Sequence, residues 1–304
     1  MLNHSCRPNT LARFDGNEME VVATRPIGQG EPLTISYGPL ASKIPSVVQR
    51  RTTLQNSYFF HCLCPACIDA DRESSHASAS SKEVDLAYTT TSLACRSKGC
   101  QGELCVSKHK YLSKGCRMWC AQCGVNLNPS IAEALLTEVA EDAKSWQKAL
   151  KETDLVEKAN SYNPSKEEGI EGNHVELARK RALDLSTQCL MWRQSKLIGT
   201  AMGLARAHDL IARLLAGTGD FAEAASHCEE AVRILEKKYS QGDVELGQEM
   251  FKLAGLYFNA GLLSRCFGAC QQAKGSLTVC LQADDPQLQE LQDMEHCCRQ
   301  QLSL

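Results

Sequence analysis

Cys6 and the run Cys62-Leu63-Cys64-Pro65-Ala66-Cys67 carry the thiol chemistry of a metal site. The CxCxxC run offers three thiolates, and a closed tetrahedral zinc site needs a fourth ligand. Cys6, near the N-terminus, and His61, beside the run, both compete for that place. If Cys6 fills it, the metal ties Asn3-His4-Ser5-Cys6 to a distant loop and gathers Asn3, His4 and Tyr37 into one pocket. Zinc held by four protein ligands keeps no open position for water, so its role would be structural. Cys95-x4-Cys100 and Cys120-Ala121-Gln122-Cys123 form a second set. Two such knuckles around the short strands Leu104-Cys105-Val106 and Cys116-Arg117-Met118-Trp119 look like a zinc ribbon. Cys95, Cys100, Cys120 and Cys123 are its expected ligands. Cys105 and Cys116 are the alternates, or a facing pair of buried thiols.

The chain has 304 residues, 17 of them cysteine, and a formal charge of −3. With no basic region ahead of an apolar stretch at the start, the close cysteine pairs favour zinc over disulfides. The remaining seven, Cys189, Cys228, Cys266, Cys270, Cys280, Cys297 and Cys298, lie mostly in helical patterns and read as small buried hydrophobes. No long basic tract marks a nucleic-acid footprint, and no apolar run is long enough to span a membrane.

Those cysteines and the pocket need elements to hold them. Leu11–Phe14 and Met19–Ala23, with Asp15-Gly16-Asn17 between them, read as a hairpin. Leu33–Ser36 is a short strand that delivers Tyr37 at its end. Val47–Tyr58 reads as a helix with Val47, Val48, Arg51, Leu54 and Tyr58 on neighbouring turns. Residues 69–85 have linker composition. Helices are expected over Ser130–Lys151, His174–Gln194 and Leu197–Ala216, with a mobile connection over Lys151–Asn173. Gly219 to Leu235 then repeats as Gly261 to Leu277 at an offset of 42, and Ile211, Ala212 and Leu214 repeat as Leu253, Ala254 and Leu256. This is a tetratricopeptide-like pattern, with a plain helical bundle as the alternative. Asp284-Asp285-Pro286 opens a last helix.

Asn3-His4-Ser5-Cys6-x-Pro8-Asn9, then Gly30-Glu31-x-Leu33-Thr34-Ile35-x-Tyr37, then Tyr58-x-Phe60-x-Cys62-x-Cys64-x-x-Cys67, resembles the end of a SET domain with its post-SET zinc site. The tight spacing and the helical region that follows are similar to the SET-and-MYND family of protein-lysine methyltransferases, in particular the member with tetratricopeptide repeats. The resemblance implies an S-adenosylmethionine-dependent transfer to lysine. By it, Tyr37 and Tyr58 are the catalytic channel residues, Asn3, His4 and Phe60 hold the cofactor, and Cys6 is the fourth zinc ligand. The family's glycine-rich cofactor motif and MYND module do not precede Asn3, so weak or no catalysis is expected of these residues alone.

The expected fold class is therefore α+β. Residues 1–67 form a partial SET β-fold with its zinc site, 68–92 a linker, 93–126 a zinc-ribbon-like insert, and 127–304 a helical domain. The expected cofactors are S-adenosylmethionine and one or two structural zinc ions. The expected partners are a lysine-bearing protein substrate, histone or not, and a chaperone or other protein on the helical repeat, with no nucleic acid or membrane. The family resemblance implies a cytoplasmic and nuclear location. The competing reading is a non-catalytic zinc and helical-repeat interaction module.

Overall fold

The computed structural model describes residues 2–15, 18–40, 47–68, 92–106, 118–161, 170–237, 239 and 243–303. Its first part is built from short strands. β1 (Asn3–His4) pairs in parallel with β4 (Thr34–Ile35), in the register Asn3↔Thr34 and His4↔Ile35. β2 (Thr10–Asp15) and β3 (Glu18–Ala23) form an antiparallel hairpin. Residues 16–17 of its expected turn lie outside the described residues, as do the linker positions 69–91 and Cys116.

Two-residue strands supply few ladder bonds, so buried polar groups complete the joint between these pieces. Asn9 is 1% exposed and uses its whole amide. Its Nδ2 donates to Glu31 Oε1 at 3.0 Å and Pro32 O at 3.1 Å. Its Oδ1 accepts from Thr34 N at 2.8 Å and Thr34 Oγ1 at 3.1 Å. Glu31, bonded to Arg25, Gly28 N and Asn9, is held down to about 2 and stays ionised. Asn9 thus fastens the turn after β1 to β4, and so fixes where Tyr37 emerges.

α1 (Val47–Tyr58) forms over the expected range, but its inward face differs. Val47, Arg50 and Leu54 are buried, Arg51 is half-buried and Tyr58 is exposed. The i, i+3, i+7 stripe therefore carries a guanidinium at its centre, where an apolar residue is the usual choice.

β5 (Leu104–Val106) and β6 (Met118–Cys120) form the ribbon, with Leu104 opposite Cys120. It is pinned to the end of a helix: Ala94 N donates to Lys196 O at 2.8 Å, and Ile198 N donates to Ser92 O at 2.9 Å. Leu93, Leu104 and Met118 continue the core of the helical part, so ribbon and helices share one apolar interior.

Seven helices make up the rest of the described residues: α2 (Pro129–Ser161), α3 (Ile170–Lys196), α4 (Met202–Ala216), α5 (Phe221–Leu235), α6 (Val244–Asn259), α7 (Leu263–Leu277) and α8 (Pro286–Leu302). Two expectations need correction. Much of Lys151–Asn173, expected as a connection, is helix through Ser161 and again from Ile170; 162–169 lie outside the described residues. Val156, 4% exposed, packs inward and carries the first of these helices past Lys151. Residues 197–201 are not helical, because Leu197 bridges to Leu93 of the ribbon. Cys297 is also half-buried, unlike the other helical cysteines, which are buried.

α5 and α7 start 42 residues apart, as do α4 and α6. Gly219 and Gly261 precede α5 and α7 with φ of +84° and +72°, which only glycine adopts without strain. Ala231 and Ala273 are 1% and 0% exposed, small enough to let the helices approach closely. The two parts meet at the hairpin: Arg13 Nη1 donates to Leu281 O at 3.2 Å, and Gln282 Nε2 donates to Phe14 O at 2.8 Å.

Candidate active site and metal centres

The sulfurs of Cys6, Cys62, Cys64 and Cys67 lie within 4.8 Å of one another. Cys6 Sγ is 4.0 Å from Cys62 Sγ and 3.6 Å from Cys67 Sγ. A tetrahedron of thiolates at the zinc–sulfur bond length has edges of about 3.8 Å, so the donor set fits the ion. His61 is exposed and outside the group, and Cys6 completes the four-thiol set. Burial pushes the Cys6 thiol well up and the Cys62 thiol to about 11. Burial also acts upward on Cys64, but the backbone N–H groups of Cys6 and Cys67 bring it down to about 7. Zinc bound here displaces the remaining thiol protons.

His4 links this cluster to Tyr37. Tyr37 N donates to His4 Nδ1 at 3.0 Å, so the neutral ring carries its proton on Nε2, 3.2 Å from Cys6 Sγ. Burial, and next the charge of Arg50, hold the His4 pKa below its ordinary value and keep the ring neutral. With both nitrogens engaged, His4 can meet a cofactor only through its main chain or ring face.

The aromatic rings converge on the same spot. Tyr37 lies 5.0 Å from Tyr58, 6.2 Å from Phe60 and 5.3 Å from His4, centroid to centroid, and His4 lies 5.9 Å from Phe60. The chain reaches this arrangement by leaving α1 through Phe59, whose φ is +60°. A bulky residue in the left-handed region is a strained turn, of the kind held in place where function needs it. It separates Tyr58, at the helix end, from Phe60, on the way into the knuckle. The Tyr37 hydroxyl donates to Leu2 O at 2.6 Å. Asn3 is exposed on β1 beside this group.

The second cluster is Cys95, Cys100, Cys120 and Cys123, again with mutual distances within 4.8 Å. Cys95 and Cys123 are 3.8 Å apart, and Cys100 and Cys120 are 3.6 Å apart. Cys105 is half-buried on β5 and lies outside it. The first knuckle closes despite its wider spacing because Gly102 lets the chain pass tightly. A Cβ there would lie 2.7 Å from Cys120 Sγ and 2.6 Å from Gln122 Cβ. Gly102→Ala is therefore expected to lose the ribbon's zinc and keep that of the first cluster, halving the metal content measured by elemental analysis.

Sequence comparison speaks to the same residues. Residues 1–38 match the SET domain family. The chain is 28% identical over 300 residues to the protein-lysine N-methyltransferase SMYD4 of Pongo abelii, covering 98% of this chain and 32% of that protein. The human protein of the same name is 26% identical over 298 residues, with the same two coverages. The chain is related to the SET-and-MYND family. A SET and MYND domain-containing protein of Dictyostelium discoideum is 41% identical over 69 residues, 23% of this chain and 16% of that protein. The chain spans about a third of the length of the curated relatives it matches end to end. The cysteine clusters and ring group lie within the stretch that is similar to these proteins.

Spacing did not point to Arg50 or Leu2. Asn9 closes the Asn-His-Ser-Cys-x-Pro-Asn motif and was visible there. Arg50 reads as a solvated helix residue, and a backbone acceptor such as Leu2 O leaves no trace in side-chain identity.

Proposed function

We propose that this protein is an S-adenosylmethionine-dependent protein-lysine N-methyltransferase and that residues 2–67 build the acceptor end of its active site. The observation that supports it is the convergence of Tyr37, Tyr58, Phe60 and His4 beside the four-cysteine clamp. When bound, S-adenosylmethionine supplies an electrophilic methyl group for in-line displacement. The protein's task is to present a neutral amine in line with it. Tyr37 does this with its oxygen. Its proton is committed to Leu2 O, so the lone pairs face outward and accept an N–H of the substrate lysine. The Tyr37 and Tyr58 rings make a channel wall that suits an ammonium head before deprotonation. Asn3, the main chain of His4 and the ring of Phe60 hold the cofactor. Both zinc ions are structural, and the first fixes Tyr37 through Cys6 and His4. The helical part receives the protein substrate, a chaperone or another partner.

Tyr37→Phe tests this in the protein as cells make it, with labelled methyl transfer to lysine-bearing proteins as the readout. Removing the hydroxyl is expected to lower kcat by about 100-fold or more, with the zinc content unchanged. Unaltered turnover rejects the assignment of Tyr37. Absence of any lysine methylation by the unaltered protein favours a zinc-held interaction module instead.

A further inference from the structure

The two thiolate clusters are housed differently. Around the second, Cys123 is exposed and Cys100 half-buried, while Cys95 and Cys120 are buried. It also takes four backbone N–H groups: Ser97 N on Cys95, Gly102 N on Cys100, and Gln122 N and Cys123 N on Cys120. In the first, all four cysteines are buried, Cys67 at 0% and Cys6 at 1% exposed. Zinc with four thiolates carries a net charge of −2. Burying that charge is costly unless a cation or several hydrogen bonds compensate it.

Arg50 is placed to do so. It is 1% exposed, one of the largest fully buried side chains of the molecule. Its Nη2 is 3.5 Å from Cys67 Sγ and 3.5 Å from Ala66 O, so the guanidinium lies on the thiolate face of the knuckle. Next to it, Arg51 Nε donates to Cys62 O at 3.0 Å, so two consecutive residues bolt α1 to the knuckle. A buried guanidinium is as expensive as a buried thiolate cage, and the two offset one another only in contact.

We propose that Arg50 is the charge-compensating residue of the first metal centre, shielding its thiolates from electrophiles and retaining the metal. This rests on the reading of that cluster as a zinc site. Arg50 positions through the metal centre and touches no substrate. A cation against a coordinated thiolate draws electron density from the sulfur and lowers its nucleophilicity. Backbone amides serve the partly exposed ribbon cluster, whereas the fully buried one takes Cys6 N on Cys64 and the His4 ring on Cys6 and adds the full charge of Arg50.

The test uses the full chain. Iodoacetamide alkylation is followed cysteine by cysteine by mass spectrometry, while a metallochromic chelator reports zinc release. Arg50→Met is expected to speed alkylation of Cys6 and Cys67, and zinc loss from that cluster, by about tenfold or more. The ribbon cysteines of the same molecule should react at their original rate. Arg50→Lys keeps the charge but loses the fork, and its rate should fall between the two. It also serves if Arg50→Met fails to fold. In the cobalt-substituted protein, the thiolate-to-metal charge-transfer band should move in both variants. Unchanged alkylation at Cys6 and Cys67, or equal acceleration at both clusters, overturns the proposal. Absence of metal from the first cluster of the unaltered protein rejects the zinc reading instead.

Discussion

Cys67→Ser is expected to strip one zinc ion and unfold residues 2–67, while the ribbon and α2–α8 remain folded. The reason lies in the size of the first core. It consists of Cys6, Val47, Leu54, Cys62, Cys64, Ala66 and Cys67, with Tyr37 and Phe60 against its edge. Four of those seven are the metal ligands, which leaves three apolar side chains of its own. The strands it rests on are two residues long, and such pieces hold together only with a staple. Structural zinc supplies an apparent ~10–16 kcal/mol in small metal-organised units, far above what three side chains contribute. The helical part has an independent core running from Leu93 to Cys298. Limited proteolysis with elemental analysis checks the outcome. The variant should be cut throughout its first part, keep about one zinc equivalent of the pair, and retain most of its far-ultraviolet helical signal. A first part that stays resistant to protease without its metal would show that the strands and Asn9 suffice. Methyl transfer should fall with it, because His4 transmits the position of Cys6 to Tyr37.

The two cysteine clusters were legible because thiolates announce themselves through residue type and spacing, whereas the aromatic group was drawn from the family resemblance. The choice of Cys6 over His61 as partner of the run near residue 62 came from the family resemblance. The α+β class followed from short β-branched segments ahead of long helical periodicity, and the repeat could be read from Gly219 and Gly261, where the backbone must turn left-handed. What stayed hidden depends on contacts remote in sequence. The burial of Arg50 is set by sulfurs that arrive later in the chain. The loss of helix over 197–201 is set by a ribbon residue, Leu93, a hundred positions earlier. The continuity of α2 beyond Lys151 is a third case. Val156 is buried, so tertiary packing carries the helix further than its periodicity suggested.

Asp142→Ala is expected to destabilise the helical part by about 3–5 kcal/mol, a large share of the stability of an ordinary domain. Asp142 on α2 faces Arg193 on α3 deep in the interior, with side-chain exposures of 2% and 5%. Arg193 Nε and Nη2 both reach Asp142 Oδ2 at 3.0 Å, and Nη1 donates to Gly203 O at 3.0 Å. Its guanidinium carbon lies 4.3 Å from the centre of the Trp146 ring. One side chain thus joins α2, α3 and the start of α4. Burial pushes the Asp142 carboxyl above its ordinary range, and the charge of Arg193 offsets only part of that. The pair therefore gains little over water, and its importance lies in what a half-pair costs. Removing the carboxylate leaves a buried cation with one carbonyl and a ring, which is the expensive case. Asp142→Asn, which keeps an acceptor and the shape, should lose less. Asp142→Leu combined with Arg193→Met removes both charges and should recover most of the loss, so the two positions are strongly coupled. Denaturant unfolding of the two single variants and the double checks this. A loss below about 1 kcal/mol for Asp142→Ala would mean that the pair behaves as an exposed one does. The three helices would then be held by apolar contact alone.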